Sequence, residues 1–329
     1  RLRRLEVIRR GNGWESAAFP PAMKRRELLQ LGLSAAASAL ASSRDAAPVV
    51  PPEKRICLFT DHLDDFGFTY AEVAKMLREL GVSGPDLTVR PGGLVPPDRV
   101  ADELPRAAAA FRDQGLTIPM VTTGVTDSDP AARALLTTAG RLGVRYYKTG
   151  YFPYSDPDRW QERLREVRAQ LERLIPLGKQ AGMVAGLHNH AGPSVGGALW
   201  DGWEVLSPLD PQWIGFYFDP AQATIEGGNH AWSLNFRRCV PRLKMVAIKD
   251  FVWEKTGSGW RTRWVPLGEG MVRWPEFFKL LAKTEFQGPI SLHIEYDPGG
   301  ATRSARFDNC LAAAARDLKF LRQQLQAAG

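Results

Sequence analysis

Four of the five histidines in this 329-residue chain, His62, His188, His190 and His293, stand where short apolar runs stop, and Lys148, Asp219, Lys249, Asp250 and Glu295 stand at similar stops. In an extended segment residues i and i+2 share a face, so His188 and His190 can point to one side together, as can His293 and Glu295. Two imidazoles and one or two carboxylates meeting at one place suit Zn, Mn, Fe or Co better than Mg, which prefers an all-oxygen shell. The expected metal ligands are His188, Asp219, His293 and Glu295. A metal held there would polarise a carbonyl and stabilise the enediolate that forms when a neighbouring proton leaves.

Lys249, Glu295 and His190 are the expected proton-moving groups. A lysine near other cations or partly desolvated can act as a base, or keep its proton and hold an oxyanion. Lys148, His62, Asn189, Gln222, Asp250 and Trp253 are the expected substrate contacts, with Gln222 and Glu226 read as lying in a loop after Asp219. The plainer alternative is structural: histidines capping strand ends, and Lys249 in a salt bridge. Adjacent residues on a strand point oppositely, so a cross-strand partner such as Glu295 is more natural for Lys249 than Asp250.

Bringing these groups together requires strands whose C-terminal ends share one mouth. Eight short apolar runs, at 56–60, 87–90, 117–122, 144–148, 183–187, 214–218, 245–248 and 290–294, alternate with helical patterns, clearest at 70–80, 97–114, 157–181, 274–284 and 306–325. Strands buried on both faces and separated by helices predict an α/β fold, a (β/α)8 TIM barrel with its chemistry on the C-terminal rim. A doubly wound sheet is disfavoured, because the first strand runs into Thr60-Asp61-His62-Leu63-Asp64-Asp65, which has no glycine-rich turn and would repel a pyrophosphate. Trp253, Trp260 and Trp264 flank Thr256-Gly257-Ser258-Gly259, a hairpin pattern after the seventh strand that could wall the apolar face of a ligand or pack on its own barrel.

One domain over 55–329 accounts for the barrel, preceded by an unassigned extension (1–22), an export-type segment (23–41) and a linker (42–54). Met23, the basic Lys24-Arg25-Arg26 and the apolar stretch to Ala41 follow the order of a signal peptide, and the paired arginines resemble a twin-arginine signal. A periplasmic or otherwise exported protein is expected, with no stable membrane anchor once the leader is cleaved. Of the net charge of +7, five units lie in the first 41 residues, so the remainder is nearly neutral and a nucleic-acid partner is not expected. Cys57, Cys239 and Cys310 form no CxxC pair and read as buried thiols.

His188-Asn189-His190, Phe216-Tyr217-Phe218-Asp219-Pro220, Ile248-Lys249-Asp250, Pro266-Leu267-Gly268-Glu269-Gly270 and Ser291-Leu292-His293-Ile294-Glu295-Tyr296, in this order, resemble the xylose-isomerase-like TIM barrels of the sugar phosphate isomerase/epimerase group. The resemblance implies a divalent metal on strands five to eight and proton transfer beside a sugar carbonyl. Asp219 matches the strand-six ligand. His188 and His293 stand where glutamates are usual, Glu295 follows two residues later, and Ala247 replaces the histidine often found before Ile-Lys-Asp. The expected function is a carbohydrate isomerase or epimerase on a small-molecule sugar, with oligomerisation left open. A lyase or glycoside-cleaving enzyme on an oxidised sugar and a non-catalytic sugar-binding barrel are the alternatives. An apurinic endonuclease, which shares the fold, fits a near-neutral domain poorly.

Overall fold

The computed structural model describes residues 50–64 and 66–329; the export-type segment, the extension before it and most of the linker lie outside the described residues. Eight parallel strands close into a barrel: β1 (Ile56–Phe59), β2 (Pro85–Val89), β3 (Met120–Thr123), β4 (Tyr146–Lys148), β5 (Val184–His188), β6 (Ile214–Phe218), β7 (Leu243–Ile248) and β10 (Ile290–Leu292). β1 closes the ring by pairing with β10, Ile56 opposite Ile290. Every residue of β1, β2, β3, β6 and β10 is buried. That is why the runs read as continuous rather than alternating: barrel side chains fill the interior on one face and meet helices on the other.

The helices follow local rules. Thr69 opens the helix Tyr70–Leu80 with a capping box to Glu72, Gly81 closes it in the left-handed region (φ 64°), and Val73, Ala74, Met76, Leu77 and Leu80 form its buried stripe. Among the described residues no helix is long and apolar enough to cross a membrane. The three cysteines are buried and unpaired.

Two segments differ from the sequence pattern in ways that matter for the site. β2 begins at Pro85, which draws Asp86 into the barrel interior at 0% exposure; a carboxylate at that point breaks the apolar run and reads as loop. Gln222 and Glu226 lie not in a loop but in the helix Pro220–Cys239, capped by Asp219 and started by a proline at its first position. Gly227, Gly228 and Asn229 obscure its period, and Gly228 (φ 61°) kinks it.

The predicted hairpin is present as β8 (Asp250–Thr256) and β9 (Gly259–Val265), antiparallel. Asp250 anchors it to the barrel, and this corrects its expected substrate role. Its carboxylate accepts hydrogen bonds from the backbone N–H groups of Gly268 (3.0 Å), Gly270 (3.2 Å) and Val272 (3.2 Å) and from Trp274 Nε1 (2.8 Å). A Cβ at Gly270 would fall 2.0 Å from Asp250 Oδ1, so the Gly268-Glu269-Gly270 motif is a loop shaped to wrap a buried carboxylate. Replacing Asp250 with Ala strands those donors, and we expect urea unfolding to register a loss of about 3 kcal/mol or more.

Candidate active site

The C-terminal rim carries a cavity of about 680 Å³ lined by His62, Arg90, Lys148, Tyr151, His188, His190, Lys249, Trp264, His293 and Glu295. Beneath it runs an unbroken chain of polar contacts across the barrel. Asp86, on β2, accepts from Tyr217 Oη on β6 (3.1 Å), and also from Ser291 (2.8 Å) and Thr122 (2.8 Å). Tyr217 Oη lies 2.8 Å from His293 Nε2, and His293 Nδ1 lies 3.3 Å from Glu295 Oε1. Because the Tyr217 hydroxyl gives its proton to Asp86, it is left to accept from His293. Glu295 Oε1 then takes Lys249 Nζ at 2.8 Å, Lys249 Nζ reaches Asp219 Oδ2 at 3.3 Å, and Asp219 Oδ2 meets His188 Nε2 at 3.2 Å.

The local sequence explains this convergence. Asp219 follows the last residue of β6 and is the N-cap of the next helix, so its Oδ1 accepts from Gln222 N (3.0 Å) while Oδ2 turns to the cavity. Lys249 sits between β7 and β8, and the Trp264 ring from β9 covers it, 4.4 Å from Nζ to the ring centroid. His293 stacks on Phe59 of β1 with ring centroids 4.2 Å apart. Lys148 ends β4, gives a hydrogen bond to Thr149 O (2.8 Å) and lies 3.7 Å from the Tyr151 ring centroid.

The two lysines are driven in opposite directions. Burial pushes Lys148 down to about 7, with Arg90 and Lys249 adding to the effect and Asp86 opposing it. Burial acts the same way on Lys249, but Glu295 and Asp219 outweigh it and hold this ammonium above the ordinary lysine value. Burial also works against ionising Asp219 and Glu295; Lys249 overcomes it and keeps both below the usual carboxylate range. Desolvation drives His188 down to about 3 in spite of Asp219, and desolvation with nearby His293 and Arg306 does the same to His62. His190 is lowered too, again by burial first. These three imidazoles are neutral at physiological pH.

The structure therefore brings His62, Lys148, His188, His190, Lys249, His293 and Glu295 to one cavity, with Asp219 immediately beneath. His188 and His190 share a face as the i, i+2 spacing predicts, their rings 5.7 Å apart. Asn189 and Gln222 serve the frame rather than line the cavity. Asn189 gives a hydrogen bond to Asp219 O and accepts one from Asp219 N, pinning β5 to β6, and Gln222 Oε1 accepts from Ala191 N. Trp253 is 40% exposed on the outer part of the hairpin, and its neighbour Trp264 lines the cavity instead. Asp86, Arg90, Tyr151 and Tyr217 escaped sequence reading. Tyr217 enters the sequence pattern only as part of the Phe216-Tyr217-Phe218-Asp219-Pro220 motif, and a carboxylate beside an apolar run is the one signal for Asp86.

The expected metal set does not form a metal site. Both nitrogens of His293 face hydrogen-bonding partners, both oxygens of Asp219 are engaged, and Glu295 Oε1 faces Lys249 and His293. Among the described residues no group of three or more His, Cys, Asp or Glu side chains has the arrangement to hold a metal ion.

A family model described as xylose isomerase-like TIM barrel matches residues 74–324. An inosose dehydratase from Mesomycoplasma hyopneumoniae strain J is 26% identical over 133 residues, 36% of this chain and 43% of that relative, so the match spans less than half of the relative's length. A xylose isomerase-like TIM barrel protein from Mycobacterium smegmatis in complex with magnesium superposes with a TM-score of 0.63 at 15% identity, covering 84% of this chain and 98% of that one. D-psicose 3-epimerase from Clostridium cellulolyticum H10, solved with D-tagatose, superposes with a TM-score of 0.64 at 13% identity, covering 82% and 99%. At such identities the structural likeness is one of fold. The family match covers more than half of the chain and contains the whole polar chain from Asp86 to Glu295, and this protein belongs to the xylose isomerase-like TIM barrel family.

Proposed function

We propose that the protein is a carbohydrate isomerase or epimerase that moves a proton at a carbon beside a sugar carbonyl. The observation that carries this reading is the pair of buried lysines in one cavity with ionisation pushed apart, Lys148 down to about 7 and Lys249 upward. Groups driven apart in this way mark acid and base roles. Lys148 is the base: its neutral amine takes the proton, and the ammonium so formed stays beside the enediolate, with Arg90 as a second cation on the cavity wall. Returning the proton to the neighbouring carbon, as the hydroxyl proton passes to the original carbonyl oxygen, gives isomerisation; epimerisation takes its new proton on the opposite face from a second donor or water. Lys249, held charged by two carboxylates, orients the site and is not available as a base.

Hydroxyl recognition falls to neutral or acceptor groups. Neither ring nitrogen of His62 nor Nδ1 of His188 has a hydrogen-bond partner of good geometry. Glu295 Oε2 stands outside the contacts that engage Oε1, and Tyr151 and Trp264 offer ring faces to the apolar side of a sugar. The metal ligands expected from the sequence are committed to one another, so no step is assigned to a metal. The leader motif supports action outside the cytoplasm, which fractionation of cells expressing the full chain would test.

A second reading rests on the inosose dehydratase relative: the same proton removal can be followed by loss of hydroxide from the β-carbon. Turnover of a ketose in deuterated water separates the readings. Isomerase or epimerase action incorporates deuterium at a carbon of a rearranged sugar, dehydratase action yields a product lighter by one water, and a sugar binder that incorporates none would sink both. We expect Lys148→Met to lower kcat/KM by about 10²–10⁴-fold. Because Lys148 is lowered rather than raised, its active neutral form accumulates above its pKa, so kcat/KM should climb with pH up to about 7 and level off beyond it. In Lys148→Arg, which stays protonated, that limb should vanish along with the activity.

A further inference from the structure

Asp219 and Glu295 are two of the four side chains expected to hold a divalent ion, yet both aim oxygens at Lys249 Nζ, at 3.3 and 2.8 Å. Lys249 and Asp219 are almost fully buried, with side-chain exposures of 2% and 0%. Of the two expected histidine ligands, His188 sets Nε2 3.2 Å from Asp219 Oδ2 and leaves only Nδ1 without a partner, and His293 is held between Tyr217 and Glu295. A divalent ion needs several lone pairs aimed at one point, roughly 2.0–2.6 Å from each. Here the carboxylate lone pairs aim at an amine, and an ion entering beside it would meet a like charge in a poorly screened place.

We infer that the Lys249 ammonium is the resident cation of this barrel, seated between Asp219 and Glu295 where the sequence resemblance puts a divalent metal. An ammonium brings one positive charge and three donors, enough to keep two buried carboxylates ionised and fixed, but it has no vacant orbital with which to bind a carbonyl oxygen. The residue two positions earlier completes the exchange. Ala247 shares the Lys249 face of β7 and packs inside the barrel with Cys57, Met120, Tyr217 and Met245, so a methyl group lies beneath the lysine stem where an imidazole would be a ligand. A consequence, resting on the proposed reaction, is that sugar oxygens meet hydrogen-bonding groups rather than a Lewis acid.

The test uses the full chain with Mn²⁺ alone, followed by the electron paramagnetic resonance signal of the hydrated ion, which fades on binding. The wild-type protein should leave an added equivalent of Mn²⁺ in solution. Lys249→Met, which leaves Asp219 and Glu295 without their counter-charge, should capture one, and adding Asp219→Asn to it should release the ion again. Capture of Mn²⁺ by the wild type that is lost in Asp219→Asn overturns the inference, as does a folded Lys249→Met protein that captures none. If Lys249→Met does not fold, the wild-type and Asp219→Asn proteins still decide the matter. The readout is independent of turnover: a protein inert toward sugars removes the proposed reaction but not the seated lysine, whereas an active protein that binds Mn²⁺ through Asp219 does the reverse.

Discussion

The ammonium of Lys249, wedged between Asp219 and Glu295, is the interaction on which the rest of the rim depends. Two carboxylates cannot be drawn out of water side by side without a counter-charge, and in a buried place the attraction between unlike charges is correspondingly strong. The lysine comes from the end of β7, one carboxylate from the end of β6 and the other from the segment beyond β10. Forming the triad therefore requires these strands to be neighbours, and closure of the barrel, with β7 between β6 and β10, provides that. A run of further polar contacts extends from the three, from His188 on Asp219 to Asp86 at the far end of the Tyr217–His293 link.

That arrangement also sets the state of the groups that do not belong to it. Lys249 stays positive because two acids face it, and its charge is one of those that push Lys148 toward neutrality. The same lysine type thus yields a fixed cation on one strand end and an amine near its titration point on another. His62 and His188, which frame the cavity, are held neutral by burial. The result is a pocket with Lys249, Asp219 and Glu295 paired at its floor and Arg90 on its wall.

The outer frame serves the floor. Asp250 gathers the loop around Gly268 and Gly270 and thereby fixes the base of the hairpin, whose Trp264 closes over Lys249. Asn189 ties the ends of β5 and β6 through a reciprocal pair of hydrogen bonds, which sets His188 and Asp219 side by side. These residues belong to the same motifs as the charged groups, and their part is to hold the strand ends in register.

Much of this was legible in the chain alone. The alternation of short apolar runs with amphipathic segments determined a parallel closed sheet, because strands buried on both faces leave no polar alternation and need helices to cover them. The gathering of His62, Lys148, His188, Lys249, His293 and Glu295 at the ends of those runs determined one mouth for the chemistry. Residue type did not determine the partners. Whether Asp219 and Glu295 would face a metal or an amine, whether Asp250 would point into the cavity or into a loop, and whether Asp86 would be loop or barrel floor were decided by tertiary structure. The physical reason is that charge pairing in a buried site depends on which side chains arrive within about 3–4 Å from different strands, and on the desolvation each suffers there, neither of which is a property of sequence neighbours.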